Sequence, residues 1–250
     1  MRRPLLIVAA AIVLTPCTLE AQQVDTIRVG SPALRDAALR TGTERIESYR
    51  VTGDDRQPTS TTEQTLRRGR AGDRDVYIIR TVHASPDGDT TRSLIVVDAS
   101  DFRLLHHRVK ATHDSAAVTS DGTHVTGWVV LPDTPIRLLD QAVGHAVFPI
   151  EGQMPWLFPL LPLNEGYRAT IPHFSEWSSG ETWSTIGVMG SETVEWNGEG
   201  RECWVVDVGE FGPPGYRGTA WVDKETRRIL QSALRGPPGR VEYWAYAASP

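Results

Sequence analysis

The sequence predicts a mainly β protein, an antiparallel meander interrupted by a short helical and Pro-rich insert. Three observations lead there. A phrase occurs twice: Val97-Asp98-Ala99-Ser100-Asp101-Phe102-Arg103-Leu104-Leu105 returns as Val222-Asp223-Lys224-Glu225-Thr226-Arg227-Arg228-Ile229-Leu230. In each copy an apolar run ends in Asp, polar residues follow, and Arg leads into a second apolar run, which is how strand, tight turn and returning strand read in sequence. Short runs rich in β-branched and aromatic residues recur between turn signals, at a spacing that fits a meandering sheet rather than βαβ units. One stretch, 132–164, breaks that pattern.

In chain order, Arg2-Arg3, the apolar run Leu5 to Leu14, and Leu19-Glu20-Ala21 before Gln22-Gln23 read as a secretory signal peptide, 1–21, cleaved after Ala21. The apolar run is shorter than the roughly 20 residues of a membrane span. Leu14-Thr15-Pro16-Cys17 resembles a lipoprotein signal, but Pro16 stands where a small residue is wanted. The expected mature form is soluble, periplasmic or secreted, and reads as a single β-rich domain, 22–250. Cleavage takes Arg2, Arg3 and Glu20 away and moves the formal net charge from −5 to −6. An acidic chain with no basic cluster argues against nucleic acid as a partner. Cys203 is then the one remaining cysteine, so no intrachain disulfide is expected, and its strand-like surroundings predict an inert buried thiol.

The first β segment is 22–131. Val24 to Val29 reads as a strand, and Ser31-Pro32 as the start of a short helix through Leu39. Strands follow around Ile46, Tyr49 and Val51, at Val76 to Val82, Leu94 to Val97, Leu104 to Ala111 and His124 to Leu131. Ser85-Pro86-Asp87-Gly88-Asp89 and Asp121-Gly122 supply turns.

The insert is 132–164. Asp133-Thr134-Pro135 reads as a helix start, and Ile136, Leu139, Val143 and Val147 follow at spacings of three and four, predicting an amphipathic helix ended by Pro149. Met154-Pro155-Trp156-Leu157-Phe158-Pro159-Leu160-Leu161-Pro162-Leu163 is apolar yet cut by three prolines, so neither a long helix nor a central strand can hold it.

The second β segment is 165–250. Strands are expected at Tyr167 to Ile171, Ser184 to Trp196, Cys203 to Val208, Gly218 to Val222, Ile229 to Leu234 and Val241 to Tyr246. Asn197-Gly198 reads as a hairpin turn.

The motifs of chemistry are missing. His106 and His107 would point to opposite faces of a strand and cannot easily share one ion, so no metal and no cofactor are expected. Gly187-Val188-Met189-Gly190-Ser191 does not match a serine-hydrolase elbow, and no phosphate or dinucleotide loop is present. Glu192 and Glu195 fall on opposite faces of a strand. The tryptophans read mostly as core. Trp156 differs because it lies in the Pro-cut apolar run. That run closes over a concave sheet in the functional reading, with Met154, Trp156, Leu157, Phe158, Leu160 and Leu161 lining a greasy cavity; as an ordinary insert it plugs the core.

Glu165-Gly166-Tyr167, the strand through Trp196, Gly200 with Cys203-Trp204-Val205-Val206, and Ala220-Trp221-Val222-Asp223 with Thr226, Arg228 and Leu230 resemble a bacterial periplasmic family, domain of unknown function thirty-one-oh-eight. The resemblance covers most of the mature chain. It implies the architecture of the periplasmic lipoprotein carriers, an open, strongly curved antiparallel half-barrel with helices lying in its concave face. It also implies binding of an apolar moiety rather than catalysis, and transfers no catalytic residue. The expected function is therefore a non-enzymatic binder of a lipid or other apolar small molecule. The rivals are an envelope scaffold that meets a protein partner through its apolar insert, and a hydrolase whose site is assembled from scattered residues.

Overall fold

The computed structural model describes residues 24–34, 39–52, 55–149, 156–178, 180–210, 217–236 and 241–246. The signal segment, Cys17 and Met154 lie outside them. The strands are β1 (Asp25–Thr26), β2 (Gly42–Thr52), β3 (Asp55–Ala71), β4 (Arg74–Ala84), β5 (Thr90–Asp98), β6 (Leu104–Lys110), β7 (Ser115–Ser120) and β8 (His124–Val130). They continue as β9 (Arg137–Ala142), β10 (Phe148–Pro149), β11 (Arg168–Ser175), β12 (Gly180–Trp196), β13 (Glu199–Glu210), β14 (Arg217–Asp223), β15 (Ile229–Arg235) and β16 (Val241–Tyr246).

All pair into one mainly antiparallel sheet in the order β1-β11-β12-β13-β14-β15-β16-β2-β3-β4-β5-β6-β7-β8-β9, with β10 also on β11. The meanders β2–β9 and β11–β16 thus lie side by side, joined by the antiparallel pair β16–β2. The sheet is open, with β9 at one edge and the parallel stubs β1 and β10 at the other. It curves until its edges approach. Arg137 of β9 donates to the carbonyls of Glu176 and Trp177 at 2.9 and 2.8 Å, and the Leu104 N–H donates to the Val147 carbonyl at 2.9 Å.

The repeated phrase is a repeated hairpin. The N–H of Asp98 donates to the Arg103 carbonyl (3.1 Å), as that of Asp223 does to Arg228 (2.8 Å). The fourth loop residue closes back onto each Asp carbonyl at 2.9 Å, through the N–H of Phe102 and of Arg227. Those two residues are left-handed, with φ of 64° and 60°. Each Asp carboxylate organises its loop: Asp98 Oδ1 accepts from the Ser100 N–H (3.0 Å) and hydroxyl (2.6 Å), and Asp223 Oδ1 from the N–H and hydroxyl (2.8 Å) of Thr226. Both hairpins carry a bulge at the same place, beside Val97 and beside Val222. Asn197-Gly198 makes the tight β12–β13 hairpin with both φ positive, 54° and 78°.

One expectation needs correction. The amphipathic helix from Ile136 does not form; Arg137–Ala142 is β9, paired with β8. The helical spacing combined residues of different fates: Leu139, Val143 and Val147 are buried, whereas Ile136 is 66% exposed. Among the described residues of the insert, helical geometry is of the 3-10 type, at Trp156 and over Phe158–Leu160. The helix read from Ser31 through Leu39 falls partly outside the described residues. Residues 29–33 form tight turns, and 35–38 lie outside the described residues.

The main core sits on the concave face. Ile46, Tyr77, Ile79, Ile95, Val97, Ile171, Ile186, Val206 and Val222 project there from both meanders and pack around the insert. A smaller cluster around Cys203, Val205 and Trp221 covers the outer face.

Candidate functional site

The Pro-cut segment fills the concave face. Trp156, Leu157, Phe158, Leu160 and Leu161 are 0–6% exposed and belong to the main core. Its prolines remove donors and prevent strand pairing. Among the described residues, no backbone–backbone hydrogen bond joins 156–163 to a strand; the bonds of Leu160, Leu161 and Leu163 N–H close inside the segment. The segment is therefore a plug held by apolar burial, worth roughly 1.5–3 kcal/mol for each large side chain.

The two repeated hairpins grip it at either end. Phe102 stacks on Tyr77 (ring centroids 5.9 Å apart) and meets Trp156 at 6.4 Å. Arg227, at the matching left-handed position, donates through Nη1 to the Leu163 carbonyl at 3.1 Å. Sequence reasoning found both the hairpins and the plug, but not that one holds the other; the shared left-handed position is not visible in residue type, Phe in one copy and Arg in the other.

A cleft opens beside the plug. Leu39, Leu66, Ile79, Trp156, Pro159 and Ile229 form its apolar wall, and Glu44, Gln64, Arg227 and Arg228 its polar side. Arg228 pairs with Glu44 at 2.9 Å. The cleft holds about 60 Å³ of water-accessible space, enough for a few waters. A drug-sized ligand needs a pocket of roughly 300–1,000 Å³. Two buried polar atoms beside the plug have no hydrogen-bond partner among the described residues, Trp156 Nε1 and the Tyr167 hydroxyl. Burial, then the charge of Asp25, pushes Tyr167 up to about 12.

Along the strands away from the plug the concave face turns polar. The register row Leu66–Ile79–Ile95 gives way to Gln64–Thr81–Ser93 and then to Thr62–His83–Thr91. The Thr62 hydroxyl lies 2.9 Å from His83 Nδ1.

Of the other residues weighed in the sequence, His106 and His107 do fall on opposite faces, and His107 is the buried one. Among the described residues no three His, Cys, Asp or Glu side chains come together as a metal site. Cys203 is fully buried, and burial with the nearby Asp223 and Glu202 carboxylates pushes its thiol up to about 11. No helix among the described residues is long and apolar enough to cross a membrane.

The chain belongs to the family described as protein of unknown function (DUF3108), which matches residues 48–234. No curated protein matches it. Among solved structures it is similar to a β-barrel-like DUF1849 protein from Brucella abortus, at 11% identity and a TM-score of 0.49 over 84% of this chain and 97% of that one. A DUF1329 family protein from Desulfovibrio piger follows at 15% identity and 0.29, covering 85% and 86%. A LolA superfamily protein from Nitrosomonas europaea matches at 8% and 0.25, covering 88% and 92%. The fold assignment rests on the strand pairing itself.

Proposed function

We propose that this protein is an envelope binder of apolar chains, a lipid or acyl group, which it takes into the concave face by displacing the plug. In this reading it is secreted behind the 1–21 signal and works as one β-rich domain. The observation that carries the proposal is the mode of attachment of 156–163: apolar side chains bury it, no strand pairs with it, and a cleft too small for a ligand runs along it. Non-directional burial is what an acyl chain can replace, whereas a ladder of hydrogen bonds is not. The orphaned Trp156 indole N–H fits an amphipathic ligand, because an unmet buried donor costs about 1–3 kcal/mol and an ester or carboxylate oxygen would meet it. Trp156, Leu157, Phe158, Leu160 and Leu161, and Met154 just before them in sequence, are then the groups the ligand exchanges with.

Displacement makes an unusual demand on mutants. Arg227→Gly removes the clamp on Leu163 and relieves a left-handed non-Gly residue. It should tighten binding of a fluorescent long-chain fatty acid by up to roughly ten-fold, the equivalent of about 1.4 kcal/mol. Unchanged or weaker binding in a folded variant contradicts displacement.

A further inference from the structure

The polar half of the concave face contains an arrangement that neither the proposed binding role nor the family assigns. Ser93 of β5 places Oγ 3.2 Å from Nε2 of His107 on β6. The other ring nitrogen, Nδ1, lies 3.1 Å from Oε1 of Glu176, in the turn between β11 and β12. His107 is 5% exposed and Glu176 1%, while Ser93 is half-buried. Register explains the first contact: Ser93 stands opposite Val109 and Ile95 opposite His107, so Ser93 and His107 are diagonal neighbours on one face. Curvature explains the second, since Arg137 pins the carbonyl of Glu176 and brings that turn over β6.

We propose that Ser93, His107 and Glu176 form a nucleophile–base–orienter relay that hydrolyses carboxylic esters. The order hydroxyl, Nε2, Nδ1, carboxylate is the one that lets an imidazole take the serine proton while a carboxylate fixes its tautomer. Ser93 Oγ attacks the ester carbonyl carbon as its proton passes to His107 Nε2. The C–O bond to the alcohol breaks, and the alcohol leaves with that proton. Water then attacks the acyl-serine, again giving a proton to His107, and the proton returns to Ser93 Oγ as the carboxylic acid departs. Backbone donors around Ser93 are committed to the sheet, so charge on the carbonyl oxygen falls to side chains. Thr81, directly across from Ser93, and Gln64, whose amide donates to the Thr81 hydroxyl at 3.5 Å, stand in the same row. Glu176 Oε1 is not in hydrogen-bond alignment with Nδ1 and has no other hydrogen-bond partner among the described residues. Bonds of this kind are often loose in an empty site and tighten when substrate binds.

The test uses the full mature chain with p-nitrophenyl acetate, whose acyl group is too short to require the plug to move, and a fluorophosphonate label followed by peptide mapping. The expected result is hydrolysis above the buffer rate and a label on Ser93. Both should vanish in Ser93→Ala, a one-atom change at a half-buried position that leaves the circular dichroism unchanged. His107→Gln should lower kcat roughly 10³-fold. Glu176 is a positioning residue, so Glu176→Gln should lower kcat while KM holds. Hydrolysis that persists in folded Ser93→Ala, or a label that maps elsewhere or fails to attach, overturns the proposal. Because Ser93→Ala decides the matter, a His107 or Glu176 variant that fails to fold leaves the test intact. Failure of long-chain fatty acid binding would strike the displacement reading and not this one.

Discussion

The two copies of the Asp-turn hairpin share a backbone and differ in use. Asp98 and Asp223 are both buried, both receive the loop, and both precede a left-handed fourth loop residue. In the first copy that residue is Phe102, which is 3% exposed and packs between Tyr77 and Trp156. In the second it is Arg227, which reaches past the sheet to the Leu163 carbonyl. The fifth position differs as well: Arg103 folds back on Asp98 at 3.2 Å, while Arg228 crosses to Glu44 on β2. One backbone motif has become a core element in one half and a clamp in the other. The plug is thus gripped tightly at its start and lightly at its end, and the Leu163 end is where it should leave first.

The largest effect that could break this comparison is at the left-handed positions. Phe102→Ala should cost about 3–5 kcal/mol, the usual loss for a buried ring, read as a lower denaturant midpoint. Arg227→Ala should cost less, on the order of 1 kcal/mol, since it removes polar contacts such as the bond to Leu163 from a part-buried site rather than a buried ring. Equal losses would mean that the two copies do the same work.

The Asp positions sharpen the comparison from the other side. Asp98→Ala and Asp223→Ala should each cost on the order of 1–3 kcal/mol, because each strands loop donors. A large gap between them would break the equivalence of the hairpins. The smallest effect is one of pH. Burial acts to raise Asp98, but the Ser100 hydrogen bonds and Arg103 outweigh it and hold the carboxyl below its ordinary value. Its contribution is therefore complete above the unfolded carboxylate pKa near 3.9 and is lost as pH falls below it. Acid unfolding of Asp98→Asn should show a shallower pH dependence in that range than the parent protein.

Much of the fold was legible because buried strands carry β-branched and aromatic runs; β4, β5, β6, β8 and β12–β16 all announce themselves that way. β3 does not. Its seventeen residues include Thr59, Ser60, Thr61, Thr62, Gln64 and Thr65, because the face it presents to the trough is largely polar, so hydrophobic alternation is missing. β9 misled for the opposite reason: Leu139, the buried residue of this edge strand, is spaced from exposed Ile136 before it and from Val143 and Val147 buried in the loop after it so that the four together mimic a helical period. The plug was legible from its prolines. Its mate, the left-handed residue of each turn, was not, since conformation and not residue type is what repeats. The Ser93–His107 contact was only half legible: His107 falls in the expected strand Leu104 to Ala111, but Ser93 lies just before the expected strand Leu94 to Val97, which in the structure begins at Thr90. Glu176 was not legible, as only the curvature of the whole sheet brings it to His107.

Native mass spectrometry of the protein purified under native conditions tests the binding role most directly. The displacement reading predicts a lipid-sized mass on the folded protein, released on denaturation, or uptake of one when long-chain fatty acid is added. A clean unliganded monomer that takes up no fatty acid, with Arg227→Gly behaving the same way, would contradict it.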